Sequence, residues 1–233
     1  MHLLAVWAHP DDEAFGPVGT LCLARDHGFA LAMITATRGE GGQASHVTLA
    51  PGQTLGDVRE AELRCSAQAI GVDELHVWTY GDGKLADVPV TELTERITKV
   101  MHQWQPQIIV TFGSDGITGH PDHIAISRAT TAAFHACHTQ QGGPERLLCV
   151  TMPSDQQDEV EKHRMGDAPP PHPANIIVDV SQYAAVKQDA LRCHASQRDD
   201  WEPLLTQTAW FTTDHFFQVH PPLEAGVVLL ELL

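Results

Sequence analysis

The first residues of this chain that could do chemistry are a histidine and two aspartates that directly follow a short apolar run. Leu3–Ala8 is continuously apolar, which predicts a buried strand. His9 and Asp12 are three residues apart, close enough to bind one metal ion, and Asp11 between them can hold a water molecule. Glu13 comes next, and we interpret it as an acidic residue that favours the positive end of a helix.

A second cluster of the same kind lies far downstream and contains His120, Asp122 and His123. His9, Asp12 and His123 together offer two imidazoles and one carboxylate, a set typical of a catalytic zinc with an open fourth position. Each cluster alone has an ordinary explanation, the first as a turn with a helix cap and the second as surface histidines on a helix. Their joint occurrence favours one zinc ion per chain.

These residues predict metal-assisted hydrolysis of an amide. A zinc ion with three protein ligands lowers the pKa of a bound water to roughly 7 and polarises a carbonyl group. Asp11 lies beside the ligands without being one, and it is the candidate general base. His120 either hydrogen-bonds the developing oxyanion or protonates the leaving amine, and Asp122 orients one of the imidazoles.

The elements that must position these residues follow from apolar runs that alternate with amphipathic segments. This pattern predicts an α/β fold with a doubly wound, mainly parallel sheet and helices on both faces. The predicted strands are Leu3–Ala8, Ala30–Thr35, Glu74–Trp78, Gln107–Phe112, Leu147–Met152, Asn175–Val180 and His215–Val219. The predicted helices are Ala14–His27, Leu55–Ile70, Val90–Trp104, His120–Cys137 and Ser181–His194.

The order of these elements makes a geometric prediction. In a doubly wound sheet the first strand neighbours the fourth, and ligands bind outside the carboxyl ends of the strands at that switch point. The His9 cluster leaves the first strand, and the His120 cluster follows the fourth one loop later. We therefore expect the two clusters to form a joint site.

Helical spacing also predicts which faces of two helices are buried. For the helix Val90–Trp104 the apolar residues expected on the inner face are Leu93, Ile97, Val100 and Met101. For the helix Leu55–Ile70 the expected inner residues are Val58, Leu63 and Ile70, with Arg59, Glu60, Glu62 and Arg64 mostly around them.

Composition limits the classes of protein to consider. The 233 residues, 42% of them hydrophobic, suit one domain over residues 1–233 with a sizeable core. A formal charge of -16 argues against nucleic acid or an anionic membrane as a partner. No stretch reaches the roughly 18 apolar residues that a membrane helix needs. The charged, proline-rich segment 153–173 predicts a mobile excursion, either a lid or a disordered insertion.

The five cysteines are odd in number and widely spaced, and no Cys-x-x-Cys occurs. This usage predicts reduced thiols in a cytoplasmic protein rather than a disulfide framework or a structural zinc site.

Three further segments allow both a functional and an ordinary interpretation. Arg38, in the glycine-rich segment after the second strand, can hold a hydroxyl or carboxylate of a substrate, and the segment is otherwise a turn without a phosphate-loop lysine. Tyr80–Gly83 leads toward the same edge of the sheet, but a plain β-turn is favoured. By pattern alone, we interpret four late residues as part of a helix surface and its cap: Lys187, His194, Ser196 and Gln197.

Ala8–Glu13 and Gly119–His123 together resemble the two His-Pro-Asp motifs of the PIG-L (LmbE-like) de-N-acetylase family. Further matches occur in the family's order and cover nearly the whole chain except Pro153–Pro173: Thr37–Gly41, the Arg59-x-x-Glu62 helix ending in Ile70-Gly71, Gly81–Gly83 and Lys187–Gln197. The resemblance implies a Rossmann-like fold and zinc-dependent removal of an acetyl group from an N-acetylglucosamine-type substrate.

The resemblance also implies roles for individual residues. It makes His9, Asp12 and His123 the zinc ligands and Asp11 the general base. It makes His120 the residue that stabilises the tetrahedral intermediate or acts as an acid, with Asp122 behind it, and it places Arg38 at the substrate. Asp214 stands where the family often has glutamate, which leaves its role open.

We therefore expect a cytoplasmic zinc hydrolase that deacetylates a small N-acetylglucosaminyl conjugate, such as the thiol-cofactor precursor N-acetylglucosaminyl malate. One rival is an amidase acting on thiol S-conjugates, and another is a non-catalytic metal- or sugar-binding module. The unligated Asp11 argues against the module, because a pure binding site needs no base. Iron or cobalt also suits these ligands, and the resemblance allows a homo-oligomer.

Overall fold

The structure, a computed structural model, describes residues 1–44, 46–153 and 164–222. In these ranges strands alternate with helices, which confirms the predicted α/β fold. Of the predicted excursion 153–173, residues 154–163 lie outside the described ranges.

The described strands lie within two residues, at each end, of the predicted ones. They are β1 (His2–Trp7), β2 (Ala30–Thr37), β3 (Glu74–Tyr80), β4 (Ile108–Phe112), β5 (Arg146–Val150), β6 (Ile176–Asp179) and β7 (Thr213–His220). The α-helices are α1 (Asp12–Phe15), α2 (Val18–Asp26), α3 (Leu55–Ile70), α4 (Val90–Trp104), α5 (Gly116–Gly119), α6 (Pro121–Cys137), α7 (Ala184–Cys193), α8 (Arg198–Trp201) and α9 (Thr208–Thr212).

The chain divides into two compact units, and the division falls near the end of β1. Among the described residues, the first unit comprises residues 1–6, 83–153, 164–178 and 215–222, and the second comprises residues 7–44, 46–82 and 179–214.

In the first unit the strand order is β1-β4-β5-β7-β6. β1 pairs in parallel with β4, with Leu3 opposite Ile108, which confirms the predicted neighbours. β7 runs antiparallel to β5, and this strand makes the sheet mixed. β4 is buried along its whole length, as expected of a strand with a neighbour on both sides.

The apolar stripe of α4 packs in the first unit as its spacing predicted. Leu93, Ile97, Val100 and Met101 are all buried, and α4 lies against α6. Burying each such side chain stabilises the fold by roughly 1.5–3 kcal/mol, which explains why a helix with few other apolar residues is held firmly.

In the second unit β2 and β3 pair in parallel, and α3 packs against α7. The predicted inner face of α3 is partly wrong. Leu63 and Ile70 are fully buried, but Val58 is only half-buried, whereas Arg59 and Glu62 are buried. Arg59 and Glu62 lie on the inner face because other parts of the second unit supply partners for their charges, as the site geometry shows.

The single helix predicted over Ala14–His27 is also wrong, because it is divided into α1 and α2 at Gly16-Pro17. Pro17 has no backbone N–H, and its ring disfavours a helical conformation of the preceding residue. Gly16 accordingly adopts φ -80° and ψ -149°. As a result, Asp12 and Glu13 lie in one isolated helical turn instead of at the start of a long helix.

The prediction that all cysteines are reduced thiols is wrong for one pair. Cys65 on α3 and Cys193 at the end of α7 form a disulfide, with their Cα atoms 5.7 Å apart. The other three cysteines are free and buried. The pair is 128 residues apart in sequence, so local spacing carries no sign of it. The bond fixes the end of α7 to α3.

Candidate active site

The turn that follows β1 is organised by the carboxylate of Asp12. Its Oδ2 atom accepts the backbone N–H groups of Ala8 at 3.0 Å and His9 at 2.7 Å. Asp11, between the two predicted ligands, has φ 96° and ψ -26°. This left-handed conformation is uncommon for a residue with a side chain, and such strain is typical of functional sites.

His9 and Asp12 have the geometry of two ligands of one metal ion. His9 Nδ1 lies 3.7 Å from Asp12 Oδ2, close to the ~3.4 Å that separates two ligand atoms on a tetrahedral zinc with bonds of about 2.1 Å. The other ring nitrogen, Nε2, lies 3.1 Å from Asp82 Oδ1. A carboxylate behind a histidine in this way is the usual arrangement for a metal-binding imidazole.

Asp82 belongs to the Tyr80–Gly83 segment, which is a turn as predicted but also supports this site. Its Oδ2 atom accepts the backbone N–H of Gly41 at 3.0 Å. Burial raises the pKa of the Asp82 carboxyl, but the hydrogen bond and charge of His9, together with the Gly41 N–H and Arg59, outweigh burial and hold that pKa below its usual range. The carboxylate is therefore ionised and able to orient the His9 ring.

The buried side chain of Arg59 contacts the predicted general base. Its Nη2 atom donates to Asp11 Oδ2 at 2.9 Å and to the carbonyl of Pro10 at 2.6 Å, and Nη1 donates to the carbonyl of Gly39 at 2.8 Å. A Cβ atom at Gly39, where φ is 67°, would lie 2.4 Å from Arg59 Nη1. The glycine-rich turn after β2 is therefore required for this close approach.

Burial raises the pKa of the Asp11 carboxyl to about 7, while Arg59 lowers it and Asp12 raises it. A carboxyl whose pKa lies near neutrality can both take up and release a proton under ordinary conditions, which is what general acid–base catalysis requires.

Glu13 does more than favour a helix terminus. Its Oε2 atom accepts the backbone N–H of Asp11 at 3.1 Å, and Oε1 pairs with His194 Nε2 at 2.6 Å. Both side chains are 0% exposed. Burial lowers the pKa of His194, but the Glu13 carboxylate raises it, and the net pKa lies above the usual value.

The prediction of helix surface and cap for the residues around His194 is wrong, because all four are buried: Lys187, His194, Ser196 and Gln197. Ser196 donates from its N–H and its hydroxyl to the two carboxylate oxygens of Glu62, at 2.8 and 2.6 Å. Asp214, whose role was open, pairs with Lys187 at 2.9 Å and accepts from the N–H and hydroxyl of Thr20.

In the first unit, the Nδ1 atom of His123 donates a hydrogen bond, whereas the Nδ1 atom of His120 accepts one. His123 Nδ1 lies 3.1 Å from the carbonyl of Gly116 and must donate to it, which leaves the lone pair of the neutral ring on Nε2. His120 Nδ1 accepts the N–H of Asp122 at 3.2 Å, so the neutral ring carries its proton on Nε2. The first tautomer suits a metal ligand, and the second suits a hydrogen-bond donor.

The His123 ring stacks on Phe112 with 4.1 Å between centroids and on His120 with 4.7 Å. Asp122 is fully buried and accepts the backbone N–H groups of Gly83 at 2.7 Å and Leu85 at 3.0 Å. These contacts fix the start of α6, and with it both imidazoles.

Each unit contains described residues that could be ligands of a metal ion: His9 and Asp82 in the second unit, and His120, Asp122 and His123 in the first. The donors are imidazole nitrogens and carboxylate oxygens, which suit zinc. Asp12 is outside this set, and its Oδ2 atom accepts two backbone N–H groups.

The predicted substrate residue Arg38 is paired within the protein. Its Nε donates to Glu60 Oε2 at 2.8 Å and its Nη2 to Asp57 Oδ1 at 2.6 Å. The side chain is 29% exposed, so part of it still reaches solvent.

The sequence reasoning missed Arg59, Asp82 and His194 as parts of the site. For Arg59 a signal was present, because Arg59, Glu62 and Ser66 recur at helical spacing beside Leu63 and Ile70. Charged residues on the apolar face of a helix need buried partners, and these partners are commonly at functional sites. For His194 the signal was its place in Lys187–Gln197, one of the segments that resemble the family, since helical spacing alone predicted surface there.

Residues 4–134 match the sequence model of a family described as "PIG-L: GlcNAc-PI de-N-acetylase". A "1D-myo-inositol 2-acetamido-2-deoxy-alpha-D-glucopyranoside deacetylase" of Actinosynnema mirum is 30% identical over 236 residues, with 86% of this chain and 82% of that protein covered. A Bacillus anthracis protein described as "Probable N-acetyl-alpha-D-glucosaminyl L-malate deacetylase 2" is 28% identical over 229 residues, with 94% and 95% covered.

Among solved structures, the conserved protein TT1542 of Thermus thermophilus is similar along its whole length. It is 25% identical, 96% of each chain is covered, and the TM-score is 0.70.

Proposed function

The chain belongs to the PIG-L family of de-N-acetylases, and on that premise we propose that it is a zinc-dependent hydrolase that removes the acetyl group from an N-acetylglucosaminyl conjugate. The observation that carries the proposal is the Asp11 carboxylate, which pairs with the buried Arg59 and lies one residue from Asp12. A base in that position is what hydrolysis of an amide by an activated water needs.

The proposed ligands of the metal ion are His9, Asp12 and His123, with one ion per chain. The 3.7 Å between His9 Nδ1 and Asp12 Oδ2 and the tautomer of His123 support this choice. An ion held there would acidify a water molecule and polarise the acetyl carbonyl. Zinc is proposed because two imidazoles and one carboxylate are a common catalytic zinc set, although iron or cobalt also suits them.

In the proposed reaction Asp11 accepts a proton from the attacking water and Arg59 stabilises the carboxylate before that transfer. His120 donates a hydrogen bond from Nε2–H to the oxygen of the tetrahedral intermediate while Asp11 passes its proton on to the amine, or His120 itself protonates the amine. The C–N bond then breaks, and the products are acetate and the free amine of the sugar. Asp122 holds the start of α6, so that both imidazoles are in place for these steps.

Arg38 stays a proposed substrate contact. Its pairing with Asp57 and Glu60 fixes the guanidinium. The solvent-exposed part of the side chain can reach a hydroxyl or carboxylate of the conjugate.

Replacing Arg59 with Met is expected to lower kcat about 10- to 100-fold and to shift the acid side of the pH–rate profile to higher pH. Arg59 lowers the pKa of the Asp11 carboxyl, so its loss leaves less of the base ionised at a given pH. The measurement is kcat across the pH range for both proteins.

The matched control is Arg64→Met on the same helix, because Arg64 is exposed and its guanidinium pairs with Glu60 rather than with Asp11. This variant should keep the profile of the unmodified protein. An Arg59→Met protein with an unshifted acid limb would show that Arg59 does not act through Asp11.

A panel of substrates with zinc supplied tests the function itself. It comprises N-acetylglucosaminyl inositol, N-acetylglucosaminyl malate, free N-acetylglucosamine and an S-conjugate of the corresponding glucosaminyl thiol. We expect acetate and free amine in equal amounts from at least one of the two N-acetyl conjugates, with a lower kcat/KM for the free sugar.

The rival functions give different results on the same panel. An amidase of thiol S-conjugates would cleave the amide of the S-conjugate in preference to the acetyl group. A non-catalytic metal- or sugar-binding module would release no acetate from any compound. Either result would overturn the proposed deacetylase.

The proposed partner is a small N-acetyl sugar conjugate, as in the names of the relatives. No helix in the described ranges combines the length and apolar character needed to cross a membrane. A cytoplasmic location stays a prediction, and the Cys65–Cys193 bond removes part of its basis, because disulfides are rare in that compartment. A homo-oligomer also stays a prediction.

A further inference from the structure

We propose that Glu13 and His194 are positioning residues that hold the Asp11 backbone in its left-handed conformation and so direct the Asp11 carboxylate. The proposal rests on the proposed role of Asp11 as the general base. It assigns a role in the reaction to a buried pair that lies 181 residues apart in sequence.

The conformation of Asp11 needs a specific restraint. With φ 96° and ψ -26°, Asp11 lies in a sparsely populated region for any residue other than glycine. Such a conformation persists only where the surroundings over-determine it. The direction of the Asp11 side chain follows from these angles, so relaxation to an ordinary conformation would move the carboxylate away from its present place.

The polar backbone groups around Asp11 each have a partner. The N–H of Asp11 donates to Glu13 Oε2 at 3.1 Å, and its carbonyl accepts from Ala14 N at 2.8 Å and Phe15 N at 2.9 Å. The preceding carbonyl, of Pro10, accepts from Arg59. Glu13 and Arg59 therefore hold the peptide group on the amino side of the strained residue, Glu13 at its N–H and Arg59 at its carbonyl.

His194 in turn fixes Glu13. Its Nε2 lies 2.6 Å from Glu13 Oε1, and both side chains are 0% exposed, so water cannot replace this bond. The His194 segment is anchored on its own account. Trp201 Nε1 donates to the His194 carbonyl at 2.8 Å, and the neighbouring Cys193 is bonded to Cys65.

The chemistry of Glu13 explains why a carboxylate is needed. A carboxylate can accept two hydrogen bonds at once, one from the Asp11 N–H and one from His194. A leucine has a similar size but no accepting oxygen, so Glu13→Leu loses both bonds. His194→Phe removes the donor, whereas His194→Gln keeps an N–H group of similar reach.

The test measures kcat, KM and metal content for these three variants. We expect Glu13→Leu and His194→Phe to lower kcat about 10- to 100-fold, with KM within about twofold and one metal ion per chain. His194→Gln should recover most of kcat. The double variant should be no slower than the slower single one, because both act through the same bond.

The matched control is Lys187→Met, which breaks another buried ion pair of the same unit, that with Asp214. It should lower Tm without changing kcat per folded chain. If His194→Phe also lowers only Tm, the pair is merely structural and the proposal is overturned. Equal losses in His194→Phe and His194→Gln would overturn it as well.

A second readout does not depend on turnover. In the metal-free protein, amide hydrogen exchange at Asp11 should be at least about tenfold faster in Glu13→Leu than in the unmodified chain, with protection of α3 unchanged. Unaltered exchange at Asp11 would overturn the proposal. Failure of the proposed function would be seen separately, as no acetate from the unmodified protein on any substrate.

Discussion

Replacing Asp11 with Ala is expected to reduce kcat about 10³-fold while the protein still binds one metal ion per chain. The proposed base is lost, and general base catalysis typically contributes 10²- to 10⁴-fold. Metal binding should persist, because the proposed ligands are His9, Asp12 and His123. The measurement pairs acetate release with the metal content of the same preparation.

A surface aspartate supplies the control. Asp189→Ala removes an exposed carboxylate that pairs with Arg192 on α7, and it should leave kcat unchanged. Asp11→Asn is a useful second variant, since it keeps the size of the side chain and an oxygen that can accept from Arg59. If the Asp11→Ala protein turned over normally with one metal ion bound, the assignment of the base would be wrong.

Replacing His123 with Ala is expected to lower the metal content from one ion per chain to less than about a tenth, and activity to background. Two remaining protein ligands bind a divalent ion far more weakly than three, and the binding energy of a metal site depends on the full set. Metal content after dialysis against a weak chelator is the direct measurement.

The control replaces a histidine that lies outside the proposed ligand set. His102→Ala removes an exposed histidine of α4, and it should retain one ion per chain and full activity. His9→Ala should behave as His123→Ala does. Full metal content in either the His9 or the His123 variant would exclude that residue from the ligand set.

Local pattern was sufficient for much of the fold. The apolar runs located the strands to within two residues, and the order of elements placed β1 beside β4. These features follow from burial of continuous apolar segments and from the handedness of βαβ connections, which act on every sequence in the same way.

The failures have a common physical cause, namely partners that are distant in sequence. Arg59 is buried because its guanidinium donates hydrogen bonds to Asp11 and to the carbonyls of Pro10 and Gly39. His194 is buried because it pairs with Glu13. A helical pattern read alone places such charged residues in solvent. The Cys65–Cys193 bond was missed for the same reason. Pro17, by contrast, was a local signal that should have divided the first helix.

The sequence pointed to the proposed reacting groups more plainly than to the groups that support them. The types and spacing of His9, Asp11 and Asp12 in the strand-exit motif suggested their chemistry, and their roles stay predictions. The supporting groups, Asp82 behind His9 and Glu13 with His194 behind Asp11, are defined by hydrogen bonds that spacing cannot reveal.

The most direct test of the central claim is a crystal structure of the zinc-loaded protein with anomalous diffraction recorded at the zinc edge. We predict one anomalous peak per chain, at roughly 2.0–2.2 Å from one atom each of His9, Asp12 and His123, with Asp11 nearby but not bonded to it. A peak bonded by four protein side chains, or one that excludes His9 or His123, would contradict the account.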